Sequence, residues 1–524
     1  MYDETPEDPV LEQRQSRLRL LYEPLSLLDT LDQTRGDRIR PDDVPSHDAE
    51  FSLIGSQRSF VNAIAYICAY KKGPAYVTAA ALEKAPEEIV LWLAANKGIE
   101  PAVIDFLNPV VKIITWLVGK TSARLENEEG ASALNLLTGK TLSFNSPRIY
   151  SYYCQIVNHA APDVVPELAR DPRFRDIPKV IEFRKWLASH LYEDDEDHVQ
   201  LQERDMERLA KKCYESRKLF NVLRNLGGDP RQTERFEHLY KLLGKLGKHV
   251  VMCKRLVEAS IVLRTEFLRG LTVKTVPRSR ERQIPLRRKC NVDGIANRIF
   301  RKPTDRDRFI ARLETIYTAD DLNKRLECQY GQTKTFVHAE LLLFNHLDTI
   351  DGDYLDNSDK YVGCSKPACY LCYQYICTHP GGYARPPSHQ KLYLRWRLPD
   401  IKQAQPLAAI LFQRQKEVLE KMIITVRSDL NNEVATRVGR RKSEVDSTHA
   451  ETSSLYEIKK LEDAVASMSF AELLREIDPS VQHTPLPDLS SETEVVSSPS
   501  SSSQYSPAPD SAYYSSDSDG GVGI

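Results

Sequence analysis

Over most of the first half of the chain, apolar residues recur at three- and four-residue spacing, the pattern of helices that bury one face. Leu18 to Leu31 is one leucine-rich amphipathic piece inside an otherwise charged segment, residues 1–50. Ser59 to Ile67 and Ile89 to Ala95 both read as helix cores. Ala102 to Val118 reads as a buried helix pair, because Asp105, Asn108, Pro109 and Lys112 interrupt it too often for a membrane span. Phe236, Leu239, Leu242, Leu243, Leu246 and Val250 keep helical spacing into Val257 and Ile261. That stretch predicts one long amphipathic helix, or a pair broken near Gly244 and Gly247. Residues 51–268 are thus expected to form a helical domain, with the acidic run Glu193 to Asp197 as a solvated linker inside it.

After Gly270 the pattern changes. Leu271 to Val276 alternates and is rich in β-branched residues, which predicts a strand. Arg306 to Leu326 reads as helix. Thr335-Phe336-Val337, Lys360 to Gly363 and Lys391 to Trp396 read as three further short strands. The first feeds a helix that starts near His338, and the second feeds a helix opened by Cys369. Strands alternating with helices at this spacing predict a mixed α/β layer structure over residues 269–430. Gln405 to Leu430 returns to helical spacing, and a weaker helical signal lies in the 431–478 segment. From Pro479 to the end there is no Lys or Arg, and Ser, Pro and Asp dominate. Such a composition does not bury enough apolar surface to offset its ordering entropy, so residues 479–524 read as a disordered tail. No fixed-period repeat indicates a solenoid.

The chain has 524 residues, 41% of them hydrophobic and 28% charged, which suggests two or three structural units rather than one core. A net charge of -2 excludes a globally basic nucleic-acid binder, so any such surface has to be local. The segment from Lys274 to Lys302 is one candidate: it holds Arg278, Arg280, Arg282, Arg287, Arg288, Lys289, Arg298 and Arg301 against Glu281 and Asp293. A solvated loop is the competing reading. Of the ten cysteines, Cys364, Cys369, Cys372 and Cys377 crowd together. With no apolar export signal at the start, that crowding favours reduced thiols and metal over a secreted disulfide framework. The expected compartment is the cytoplasm, the nucleus or both, with no membrane partner.

The crowded cysteines follow a second motif. His338-Ala339-Glu340 precedes Cys369-Tyr370-Leu371-Cys372 by about thirty residues. On a regular helix His338 and Glu340 diverge by about 200°, so they share a site only where a helix begins. Cys369 and Cys372 are three apart and lie on one face of a helical turn. One imidazole and two thiolates supply three ligands for Zn2+ and leave a fourth position for water, the open arrangement of catalytic zinc. Glu340, close by and not needed as a ligand, is the candidate proton carrier. A closed site of four cysteines, Cys364 and Cys377 included, is the inert alternative.

These residues match the H-x-E…P-C-x-x-C pattern of zinc-dependent nucleobase deaminases. Residues 333–399 resemble the zinc-binding core of the cytidine-deaminase superfamily. More narrowly, His338-Ala339-Glu340, Gly363-Cys364-Ser365-Lys366, Cys369 to Cys372 and Ser388 to Tyr393 before Trp396 are similar to an uncharacterised deaminase-like family common in fungi. The resemblance implies an α+β protein in which a mainly helical N-terminal region accompanies a three-layer α/β/α deaminase domain. It also implies His338, Cys369 and Cys372 as zinc ligands and Glu340 as proton shuttle. The Ala339 amide is expected to approach the substrate, a free or polymer-borne nucleobase; His389 is a candidate to line the pocket mouth, with a cap on the following strand as its competing role. Two features depart from the pattern: Ala368 separates Pro367 from Cys369, and no β-hairpin carrying an asparagine for a nucleoside is legible. The competing function is a catalytically inactive scaffold that keeps zinc for stability and binds other proteins through its helices.

Overall fold

The computed structural model describes residues 9–31, 39, 53–120, 124–191, 203–226, 228–286, 290–329, 333–401 and 407–437. The acidic run, the Arg287-Arg288-Lys289 cluster and everything beyond residue 437, including the Ser-rich tail, lie outside them. The architecture is mixed helix and sheet, predominantly helical. A small sheet has the strand order β3-β2-β1-β6, from β1 (Thr78–Lys84), β2 (Ile89–Ala95), β3 (Leu271–Thr275) and β6 (Gly363–Cys364). β1 pairs antiparallel with β2 and with β6, and β2 pairs parallel with β3. β4 (Arg282–Gln283) and β5 (Lys334–Thr335) form a separate two-stranded ribbon.

Helices cover both faces of the larger sheet. Ala79, Ala81 and Ala94 point into a core shared with helices Pro9–Leu31, Ala339–Ile350, Tyr370–Thr378 and Ala408–Thr436. Ala80, Leu82, Ile89, Leu91 and Leu93 point the other way, against helices Leu53–Cys68, Pro101–Gly119 and Pro230–Val262. Burial on both faces explains why Ile89 to Ala95 differs from its expected helix. A strand covered on both sides is apolar throughout and shows no alternation, so periodicity does not separate it from a helix core.

Other expectations are corrected in detail. Ala102–Val118 lies in one helix, Pro101–Gly119, which continues through Pro109; by length and composition alone it is long enough to cross a membrane. Its Val103, Leu107, Val110, Ile114 and Leu117 are instead buried on the sheet-side core. Arg306 to Leu326 divides into helices Pro303–Glu314 and Ala319–Gln329. Lys391 to Trp396 is not a strand: Trp396 makes a single parallel bridge to Phe336. The leucine-rich piece of the charged first segment is a core helix, with Leu21, Leu25, Leu27, Leu28 and Leu31 buried.

Helix Pro230–Val262 is unbroken over 33 residues, about 50 Å. Asp229 caps it by accepting from the amides of Arg231 and Gln232, and Pro230 occupies the first turn, where no amide partner is required. Gly244 and Gly247 do not interrupt it. A Cβ at Gly247 would sit 2.9 Å from the Tyr214 amide nitrogen, so this glycine admits the backbone of helix Glu203–Glu215. The first half of the rod packs in a helical cluster through Phe236, Leu239, Leu242 and Leu246. Its second half, through Met252, Cys253, Leu256 and Val257, packs in the sheet-side core. The sheet draws β1 and β2 from the stretch expected to be mainly helical and β6 from the stretch carrying the cysteines.

Gly363 sets how close helix Leu53–Cys68 lies to β6. A Cβ there would fall 2.6 Å from the Val61 carbonyl carbon and 2.7 Å from the Asn62 nitrogen, both backbone atoms that cannot rotate away. Gly363→Ala is expected to lower the unfolding free energy by about 1–3 kcal/mol through this overpacking. Denaturant unfolding of the two proteins measures it, and an unchanged midpoint contradicts the tight approach.

Candidate metal and catalytic site

Two helix starts meet at the site. The chain enters the first through Phe336, whose amide donates to the Arg395 carbonyl at 2.8 Å, and Val337, whose amide donates to Ser279 Oγ at 2.8 Å. His338 then sits at the N-cap of helix Ala339–Ile350 with extended backbone, and its carbonyl accepts from the Leu342 amide at 3.0 Å. Because the helix begins here, His338 and Glu340 escape the divergence that a continuous helix would impose.

The second start is braced from outside the motif. The Ala368 amide donates to the Pro387 carbonyl at 2.9 Å, and the His389 amide returns a bond to the Ala368 carbonyl at 3.1 Å. Ser388 Oγ donates to the same carbonyl at 2.8 Å, and the Tyr370 amide donates to the Lys391 carbonyl at 3.0 Å. The 387–391 strap thus holds the turn that carries Ala368 in place of a proline. Gln390 adopts a left-handed φ of 55°, and its amide and Nε2 both donate to Ser388 Oγ. Cys369 caps helix Tyr370–Thr378, its Sγ accepting from the Cys372 amide at 3.4 Å.

The result is a buried trio. His338 Nδ1 lies 3.3 Å from Cys372 Sγ and 3.6 Å from Cys369 Sγ, and all three donor atoms fall within 4.8 Å of one another. A tetrahedral zinc with one nitrogen and two sulfur ligands separates N from S by roughly 3.6 Å, so the two nitrogen–sulfur separations are compatible with that ion. Cys364 and Cys377 are not part of the group, which leaves the four-cysteine alternative without geometric support. Glu340 is 5% exposed, and its Oε2 has no hydrogen-bond partner among the described residues. A buried carboxylate oxygen left unpaired by protein groups is costly and calls for a partner that the protein atoms do not supply.

Electrostatics follow from this packing. Burial pulls the His338 imidazole down, but the Cys369 thiolate and Glu340 outweigh it and hold the ring above its ordinary range. Burial lifts the Glu340 carboxyl, with His338 opposing. Burial also works against a Cys369 thiolate, yet the hydrogen bond with Cys372 and the charge on His338 hold that thiol well below its usual value. Cys372 goes the other way, pushed well up by burial and then by its neighbour Cys369. The three groups thus pull on one another's protons: the Cys369 thiol is driven down while the His338 imidazole and the Cys372 thiol are driven up.

The expected substrate contacts fall differently. The Ala339 amide donates to Asn96 Oδ1 at 2.9 Å, so its hydrogen is already engaged. His389 is buried, and its Nδ1 accepts from the Lys391 amide at 3.0 Å, closing the strap rather than lining the cavity beside Glu340. Asn96 escaped the sequence reading. It directly follows the β1–β2 hairpin, itself unread in the sequence, and its Nδ2 donates to the Pro74 carbonyl at 2.8 Å. No local signal links it to His338, because 243 residues separate it from Ala339. Of the basic stretch 274–302, Lys274, Arg282 and Arg298 are paired with Glu88, Asp400 and Glu23.

A family model described as "OTT_1508_deam:-like deaminase" matches residues 337–400. The segment is deaminase-like. It contains His338, Glu340, Cys369, Cys372 and the bracing strap, and amounts to well under half of the chain. No curated protein and no solved structure matches the chain. The family match and the buried His-Cys-Cys trio, compatible with zinc, together point to a deaminase.

Metal uptake by this trio has a proton consequence. Ligation would require a neutral imidazole and two thiolates, so zinc would compete with protons at His338 and Cys372, both shifted upward. Affinity is then expected to rise with pH until both raised groups have titrated. Calorimetry of zinc binding to metal-stripped protein in buffers of different ionisation enthalpy counts the protons; pH-independent binding with no release contradicts the assignment.

Proposed function

We propose that this protein is a zinc-dependent hydrolytic deaminase acting on a nucleobase. The observation that carries the reading is Glu340: buried, without a hydrogen-bond partner at Oε2 among the described residues, coupled electrostatically to the donor trio, and lining a cavity. A structural zinc site has no use for such a group. His338, Cys369 and Cys372 would hold the ion, and Ala339 would be fixed by Asn96 so that the carboxylate after it keeps its place.

Bound zinc supplies the Lewis acidity that makes water a nucleophile near neutral pH. Glu340 does the proton work. Its carboxylate accepts a proton from the attacking water and delivers it to the ring nitrogen beside the amino-bearing carbon. It then takes the remaining hydroxyl proton and passes it to the departing amine. One water and one amino group are consumed; a carbonyl and ammonia result. Burial of Glu340 raises its proton affinity, which suits a group that must both accept and give. Burial of the trio keeps bulk water from competing.

The helical cluster around Phe183, Phe220 and Phe236 includes none of the trio and gives the second reading its support, a zinc-stabilised scaffold that binds proteins. One experiment separates the two. Glu340→Gln is expected to retain one zinc per chain and the parent's melting temperature while ammonia release falls by about 10²–10⁴-fold. The assay runs over nucleosides, nucleotides and single-stranded oligonucleotides. Unchanged turnover in the variant removes Glu340 from the mechanism, and zinc-loaded parent protein that releases no ammonia from any substrate favours the scaffold.

A further inference from the structure

A cavity of about 170 Å³ opens beside the Glu340 carboxylate; most of its wall comes from the deaminase-like segment, and one side comes from two helices outside it. Helix Leu53–Cys68 supplies Tyr66, the long helix supplies Lys248 and Arg255, and the loop after β6 supplies Lys366. Among the described residues that line it, Glu340 is the one acid, facing three cations. Lys248, Arg255 and Lys366 are each partly buried rather than extended into solvent.

The arrangement is built, not incidental. Lys248 and Arg255 are seven residues apart, two turns on one helix face, which spaces them by about 10 Å along the axis. Lys248 Nζ stands 5.0 Å from the Tyr66 ring centroid, and Arg148 Cζ stands 4.2 Å from the same ring. Arg148, itself buried, donates to the carbonyls of Tyr66 and Ala69 at the end of helix Leu53–Cys68. The wall next to Lys248 is therefore held in place by a buried guanidinium. Cations of one sign gathered in a low-dielectric cleft focus a positive potential there and select an anionic occupant.

A neutral base or nucleoside brings no anionic group to such a wall. We propose that Lys248 and Arg255 receive a phosphate ester carried by the nucleobase substrate, so that the substrate class is a nucleotide rather than a free base or nucleoside. Arg255 offers a forked donor and Lys248 a point charge, the two ways proteins grip phosphate oxygens. The inference rests on the deaminase reading, which places the base against Glu340. It assigns the helical segment a task in that chemistry: its long helix reads the charge that the base lacks.

Titration calorimetry on the full-length, zinc-loaded protein tests it without requiring turnover. The ligands are the common nucleosides, their 5′-monophosphates and a short single-stranded oligonucleotide. At least one phosphorylated ligand is expected to bind 10-fold or more tightly than its nucleoside, since each charge-assisted contact contributes about 10- to 100-fold. The preference should disappear in the Lys248→Gln/Arg255→Gln double variant and persist in Lys248→Arg; the single Gln variants serve if the double variant melts early. Tighter binding of the monophosphate assigns the ester to a free nucleotide, and tighter binding of the oligonucleotide assigns it to a polymer. Equal affinities for nucleosides and phosphates, a preference that survives the double variant, or no binding of any ligand overturns the proposal. Ammonia measured in the same samples keeps the two readings apart. Phosphate-dependent binding with no ammonia sinks the deaminase and leaves the phosphate site standing. Equal kcat/KM on nucleosides and monophosphates sinks the phosphate site and leaves the deaminase.

Discussion

Everything in this protein depends on two helices beginning at one buried point. A helix start is the place where residues two apart can share a site, where unpaired amides favour negative charge, and where a cysteine can cap and still present its sulfur. Here His338 caps one helix and Cys369 caps the other, and the imidazole nitrogen comes within 3.3 and 3.6 Å of the two sulfurs. Shift either start by one residue and its side chains rotate by about 100°, dispersing the donors. The surrounding structure is best understood as what prevents that shift.

Two devices do so, and they come from distant parts of the chain. Asn96, at the end of β2, ties down the Ala339 amide, so the hairpin fixes the first helix in register. The strap at 387–391 closes on Ala368 and Tyr370 and fixes the second. Both devices are anchored in turn: the hairpin by helices on its two faces, and the second start by β6 and the residue after it, Ser365, whose amide donates to the Thr78 carbonyl at 2.9 Å. This is why a site contained within residues 337–400 needs a scaffold several times that length. Helix Pro230–Val262 then joins that scaffold to the remaining helical cluster and brings cations to the cavity next to Glu340.

What the sequence disclosed was local, and what it concealed was long-range. His338, Glu340, Cys369 and Cys372 were legible because spacing within a few residues sets their chemistry. The helix starts were legible for the same reason. β2 was misread because a strand buried on both faces has no alternation to display, and with it went the hairpin and Asn96. A break near Gly244 and Gly247 stayed open as an alternative to one long helix because the sequence cannot show that Tyr214 packs against Gly247. Lys391 to Trp396 alternates like a strand, but its amides and carbonyls are spent on Phe336, Tyr370 and His389 rather than on a ladder. The charge of the cavity was invisible, since Lys248, Arg255 and Lys366 meet only once the sheet and the long helix have assembled.

The central claim is that one imidazole and two thiolates converge on a single ion, with Glu340 beside it and not bound to it. X-ray absorption at the zinc edge of the purified, zinc-loaded protein reads that shell directly. The account predicts two sulfur neighbours at about 2.3 Å and two nitrogen or oxygen neighbours at about 2.0–2.1 Å, one of them exchangeable solvent. Four sulfur neighbours, or a shell unchanged by His338→Ala, would contradict it.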